Sequence, residues 1–158
     1  MIELESIVTN QDVSFIPFHW AHPHAMRLRE WDAALFTEIP NFNEYLKLYA
    51  QNGYGVTALV RGTMACCFGV NMLWPGVAEA WLITGYQVDN NPISLSRGAM
   101  RYFDYIAIKL ILHRLQITVD TRNEVALRWA NLLKFKREGV LEKYGPAKSD
   151  FVMMSRIF

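Results

Sequence analysis

The sequence predicts a single α/β domain: a mixed sheet of about seven strands with helices on both faces. Three observations lead there. A chain of 158 residues is one domain by the usual length prior. With 52% hydrophobic and 20% charged residues it can bury a core without a metal or a disulfide. The apolar period switches repeatedly between two and 3.6, in the order β, α, α, β, β, β, α, β, α, β, β, and strands mixed with helices in this way are covered on both sides.

Each element has its own signal. Residues 1–12 carry no clear pattern, and a first strand is expected over 13–18. Pro23 fits the first turn of a helix, Leu28, Trp31 and Leu35 continue at helical spacing, and Pro40 stops the run. A second helix over 43–51 sets Tyr45, Leu48 and Tyr49 on one side and ends before Gly53. Alternation of Val56, Ala58 and Val60 with Thr57, Leu59 and Arg61 predicts a strand over 54–61, turned by Gly62-Thr63. Strands over 64–73 and 77–84 flank Trp74-Pro75-Gly76. A long helix over 94–114 follows, with Leu95, Ala99, Phe103, Ile106 and Leu110 on one stripe and Ser94 as its cap. A strand over 116–121, a helix over 124–133 and strands over 136–144 and 150–157 close the chain.

The same composition excludes several function classes. A net charge of +1, spread along the chain, gives no basic stripe for nucleic acid. No apolar run approaches the roughly 20 residues of a membrane span, and the start carries Glu3 and Glu5 where a secretory signal would be basic. Cys66 and Cys67 are adjacent in a strand, point to opposite faces and read as buried thiols of a reducing compartment. A cytoplasmic protein is therefore expected. His19, His22 and His24 cluster before the first helix, but no Cys or carboxylate stands at ligand spacing, so no metal is expected there.

The last third carries a resemblance. A strand at Ile117–Thr121 leads to Asn123, the helix, and then Phe135-Lys136-Arg137-Glu138-Gly139. This resembles the GNAT N-acetyltransferase superfamily, whose pattern runs N-x-x-A-x-x-x-Y-x-x-x-G-F-x-x-x-G. Asn123, Ala126, Phe135 and Gly139 match it, while Ala130 replaces the Tyr and Lys134 a Gly. The Trp81-Leu82-Ile83-Thr84 strand end, Arg128-Trp129, Glu138-Gly139, Tyr144-Gly145-Pro146 and Asp150 are similar to GNAT-like proteins of tailed phages and prophages.

The resemblance implies a splayed sheet that takes acetyl-CoA as acyl donor, with Leu82, Ile83 and Thr84 facing the pantetheine arm. The pyrophosphate would lie at the helix start by Ser94, Ser96 and Arg97, since orphan N–H groups favour an anion there. Ser94 and Ser96 stand where the family places glycines. Asn123 is either a contact of the donor or a plain helix cap. Glu79, among Ala78, Ala80 and Trp81, is either a general base for an attacking amine or an edge carboxylate in solvent or an ion pair. Two functions follow. One is an acyl-CoA-dependent N-acyltransferase acting on an unidentified small-molecule or protein amine. The other is a non-catalytic phage protein of virion assembly, in the host cytoplasm or the virion. A homodimer is compatible with either.

Overall fold

The computed structural model describes residues 4–8 and 10–158. The predicted class is observed: among the described residues there is a seven-stranded mixed sheet with four α-helices. The strands are β1 (Val13–Pro17), β2 (Gly55–Val60), β3 (Thr63–Trp74), β4 (Val77–Thr84), β5 (Arg114–Asp120), β6 (Lys136–Leu141) and β7 (Phe151–Ile157). They are ordered β1-β2-β3-β4-β5-β7-β6 across the sheet. The helices are α1 (Glu30–Glu38), α2 (Phe42–Gln51), α3 (Pro92–Lys109) and α4 (Glu124–Leu132). Of the N-terminal segment without a sequence pattern, Leu4–Ile7 forms a 3-10 turn, while residues 1–3 and 9 lie outside the described residues.

The chain forms two compact units, residues 1–71 with 81–102 and residues 72–80 with 103–158. In the first, Phe18, Phe42, Leu46, Cys67, Trp81 and Ile83 make a buried cluster, against which Leu35, Phe36 and Ile39 pack. Gly98 lets α3 meet β1 closely: a Cβ there would stand 2.3 Å from the Phe15 ring. In the second, Phe103, Leu115, Ala130, Phe135 and Met154 are buried, and the Phe103 and Phe135 rings meet edge to face at 6.0 Å. The parallel ladder of β4 with β5 consists of three rungs, Val77↔Arg114, Ala78↔Leu115 and Glu79↔Gln116.

Four expectations are corrected. The run from Pro23 is not continuous helix. Pro23 sits in a 3-10 turn, His22–Ala25, and Arg27–Arg29 is extended before α1 begins at Glu30. Helix α3 starts with Asn91 as the residue whose carbonyl takes the first helical bond, from Leu95, so Ser94 lies inside the first turn and is not the cap. The same helix ends at Lys109, not Arg114. Ile111 takes φ 51°, its N–H bonds Ile108 O and the Leu112 N–H bonds Ala107 O. That is a Schellman close on a residue other than glycine, so the usual stop signal is missing from the sequence. The first hairpin turns on Arg61 and Gly62, both at positive φ, one residue earlier than read.

Candidate functional site

Strand β4 carries the candidate site, and its alternation sorts the residues. Just past its end, the Gly85 N–H donates to Ala65 O on β3 at 2.8 Å. Backbone groups alternate in direction along a strand, so Ile83 and Gly85 face β3, while Leu82, Thr84 and Tyr86 face the other edge. Of the three residues assigned to the donor arm, only Leu82 and Thr84 therefore offer backbone groups there. The Ile83 side chain is buried in the Phe18–Phe42 cluster.

At Thr84 that edge is taken by the chain's own residues. The Arg29 N–H donates to Thr84 O and the Tyr86 N–H to Arg27 O, both at 3.0 Å, around an antiparallel bridge of Leu28 with Gly85. The Thr84 hydroxyl donates to Asp32 Oδ2 at 2.7 Å, and the Thr84 backbone N–H bonds the same carboxylate. Burial pushes the Asp32 carboxyl up to about 6, although the two Thr84 donors and the nearby Arg29 pull it down. Sequence reasoning missed Asp32. An Asp in the first turn of a helix reads as an ordinary dipole partner, and its real partner is 52 residues away.

Glu79 sits in a different environment. Burial raises its carboxyl pKa, and a hydrogen bond from Gln116 partly offsets this. The Gln116 amide is oriented from behind: its Oε1 accepts from Arg114 Nε at 2.9 Å, which leaves its NH₂ for Glu79. Arg114 in turn grips Glu138 through two bonds of 2.7 and 2.9 Å, and the Ser155 hydroxyl donates to the same carboxylate. Those bonds, Arg114 first, hold Glu138 down at about 2. A row of polar side chains thus crosses β4, β5, β7 and β6 behind Glu79.

The remaining candidates are ordinary by comparison. Asn123 Oδ1 accepts the Ala126 N–H at 3.1 Å, which makes it the cap of α4. Ser94 is buried, the Ser96 hydroxyl donates back to Pro92 O at 2.7 Å, and Arg97 is exposed. His22 Nδ1 accepts the His19 N–H and lies 2.7 Å from Thr57 Oγ1, and His24 Nε2 lies 2.7 Å from Asn43 Oδ1. Among the described residues no three His, Cys, Asp or Glu side chains are placed to hold a metal ion. Burial pushes the Cys67 thiol up to about 12 and the Cys66 thiol well above its usual range, so neither is a ready nucleophile. An open apolar hollow of about 670 Å³, lined by Met72, Trp74, Pro75, Leu110, Ile111 and His113, contains none of the candidate residues. No described helix is long and apolar enough to cross a membrane.

No family model and no curated protein sequence matches the chain. Solved structures do. A GNAT-family acetyltransferase from Bacillus anthracis superposes with a TM-score of 0.70 at 15% identity, covering 95% of this chain and 97% of that one. The microcin C7 self-immunity acetyltransferase MccE, solved with acetyl-CoA and AMP, gives 0.71 at 13% identity over 94% of both chains. RimL, the ribosomal L7/L12 α-N-protein acetyltransferase solved with coenzyme A, gives 0.70 at 16% identity over 96% and 97%. The fold is that of the GNAT acetyltransferases.

Within the GNAT fold the two departures of the last third now have a structural meaning. Lys134, at the glycine position, takes φ 69° and closes α4 as a glycine would: its N–H bonds Asn131 O, and the Phe135 N–H bonds Ala130 O. The conformation is kept although the residue is not. Ala130 is buried in α4 with 3% exposure and has no side-chain proton to give.

Proposed function

We propose that the protein transfers an acyl group, acetyl first, from acyl-CoA to an amine. The observation that carries this reading is the full-length structural likeness to acetyltransferases, among them MccE with acetyl-CoA and RimL with coenzyme A. Leu82 supports it from within the chain, because its outward N–H and C=O lie beyond the last rung with β5 and before the segment bound at Thr84. An amide of the donor's arm would bond there as a further strand would.

The roles follow from the groups present. Glu79, with its pKa raised and its carboxylate held by Gln116, takes a proton from the acceptor amine as its nitrogen attacks. The nitrogen forms a bond to the thioester carbon, the carbon–sulfur bond breaks, and the thiolate takes its proton from water, because Ala130 cannot supply one. The pyrophosphate lies at the start of α3, with Arg97 beside it as the charged contact. Asn123 keeps its cap on α4 and is assigned a contact with the donor on the family resemblance alone.

The test is release of free CoA thiol from acetyl-CoA with a panel of primary amines and N-terminal peptides. Thiol release that depends on one acceptor class supports transfer. No release with any amine favours the second reading, a non-catalytic GNAT-like protein that binds another protein, as in the virion assembly suggested by the phage resemblance. The closed edge at Thr84 and the buried Ser94 are the observations on that side.

A further inference from the structure

Three outward backbone groups in a row, Thr84 N–H, Thr84 C=O and Tyr86 N–H, are all consumed by one short segment, Arg27–Asp32. The segment is tied down by side chains as well. The Arg29 guanidinium pairs with Asp89, and the guanidiniums of Arg27 and Arg29 lie 5.0 and 5.3 Å from the centre of the Tyr86 ring. Met26, extended, joins it to the 3-10 turn, and Arg29, at φ −66° and ψ 157°, joins its extended part to the first turn of α1, which carries Asp32. A strap of this kind satisfies a strand edge that would otherwise be open.

On the reading of an acyl-CoA donor docked on β4, this has a direct consequence. An extended arm with two amides seeks outward groups on alternate residues, here Leu82 and Thr84. Leu82 is outside the strap; Thr84 is under it. We infer that Arg27–Asp32 is the gate of the donor site: it closes the Thr84–Tyr86 edge in the resting protein, and the donor's arm engages Thr84 by lifting it. Binding of the donor and opening of the strap are then one equilibrium, and anything that weakens the strap tightens the donor.

Arg29 allows a clean test, because its φ of −66° is the angle proline prefers and its position ahead of α1 requires no N–H. Arg29→Pro deletes the bond to Thr84 O together with the side chain, whereas Arg29→Ala deletes the side chain alone. The expected result is that Arg29→Pro binds acetyl-CoA about tenfold more tightly than Arg29→Ala. In the unaltered protein, saturating acetyl-CoA should speed hydrogen exchange at the Arg29 and Tyr86 amides at least tenfold and slow it at Leu82. Binding by Arg29→Pro alone would also support the gate. Acetyl-CoA binding with unchanged exchange at Arg29 and Tyr86, and equal affinity of the two variants, would overturn the gate and leave the donor reading intact. No binding by any of the three proteins would overturn the donor reading, and the gate with it. If Arg29→Pro fails to fold, exchange in the unaltered protein decides alone.

Discussion

The two carboxylates associated with β4 differ in who holds them. At the Thr84 end, Asp32 accepts a backbone N–H and a hydroxyl from one strand residue, so the carboxylate acts as a clamp on the strand. Near the start of β4, Glu79 belongs to the strand itself and receives one side-chain amide, from Gln116. Burial raises both pKa values. The difference lies in the lone pairs. Those of Asp32 are committed to fixing an edge, whereas Glu79 keeps capacity for a proton. The lesson is that a raised pKa marks a functional group only when its remaining partners leave it free to act.

The largest effect should come at Glu79. Glu79→Gln is expected to lower amine acetylation by roughly 10²-fold or more, with acetyl-CoA affinity nearly unchanged. A base with a raised pKa loses activity as pH falls through that value, so the acidic limb of the pH–rate profile should disappear in the variant. Full turnover would remove Glu79 from the chemistry and collapse the comparison.

Gln116→Leu sharpens it. Loss of the amide removes the contact that lowers the Glu79 pKa, so the acidic limb should move to higher pH. Turnover at neutral pH should fall by about tenfold at most, with KM for acetyl-CoA unchanged. A uniform loss of rate at every pH would instead mean a disturbed sheet.

Asp32 should speak through stability. Its folded-state pKa of about 6 lies above the ordinary aspartate value, so the native state binds the extra proton between about pH 4 and 6. Stability from this group rises as pH falls through that window and is lost as pH rises through it. Asp32→Asn should flatten this part of the pH dependence, by roughly 2 kcal/mol between pH 7 and 4 in chemical denaturation. An unchanged profile would mean that Asp32 is better solvated than its contacts indicate.

The smallest effect is expected at Thr84→Val, which keeps the strand-forming shape and deletes the hydroxyl donor. Asp32 should then titrate above 6, by a fraction of a unit, in a side-chain carboxyl NMR titration. A downward movement would contradict the clamp.

Much of the fold was legible because it rests on local periodicity. The alternation at Val56, Ala58 and Val60 and the stripe from Leu95 to Ile106 locate β2 and α3 within a few residues. What failed has one physical cause in each case. The helix read through Leu28 breaks because Arg27 and Arg29 bond to Tyr86 and Thr84, partners no local window contains. The end of α3 was missed because Ile111 takes the left-handed turn where glycine is usual. At the candidate site, Glu79 and the strand were visible as residue types, while Asp32 and the Arg114–Glu138 row exist only once distant strands are paired. Asn123 could be read as a cap or as a contact of the donor; the structure shows its cap bond to the Ala126 N–H, which leaves the second reading untouched.

The central claim, that β4 of this GNAT fold docks an acyl-CoA, is tested most directly by calorimetric titration of the unaltered protein with acetyl-CoA. The account expects saturable binding of one acetyl-CoA per chain, competed by free CoA. Absence of heat at millimolar acetyl-CoA, with no protection at the Leu82 amide, would contradict it.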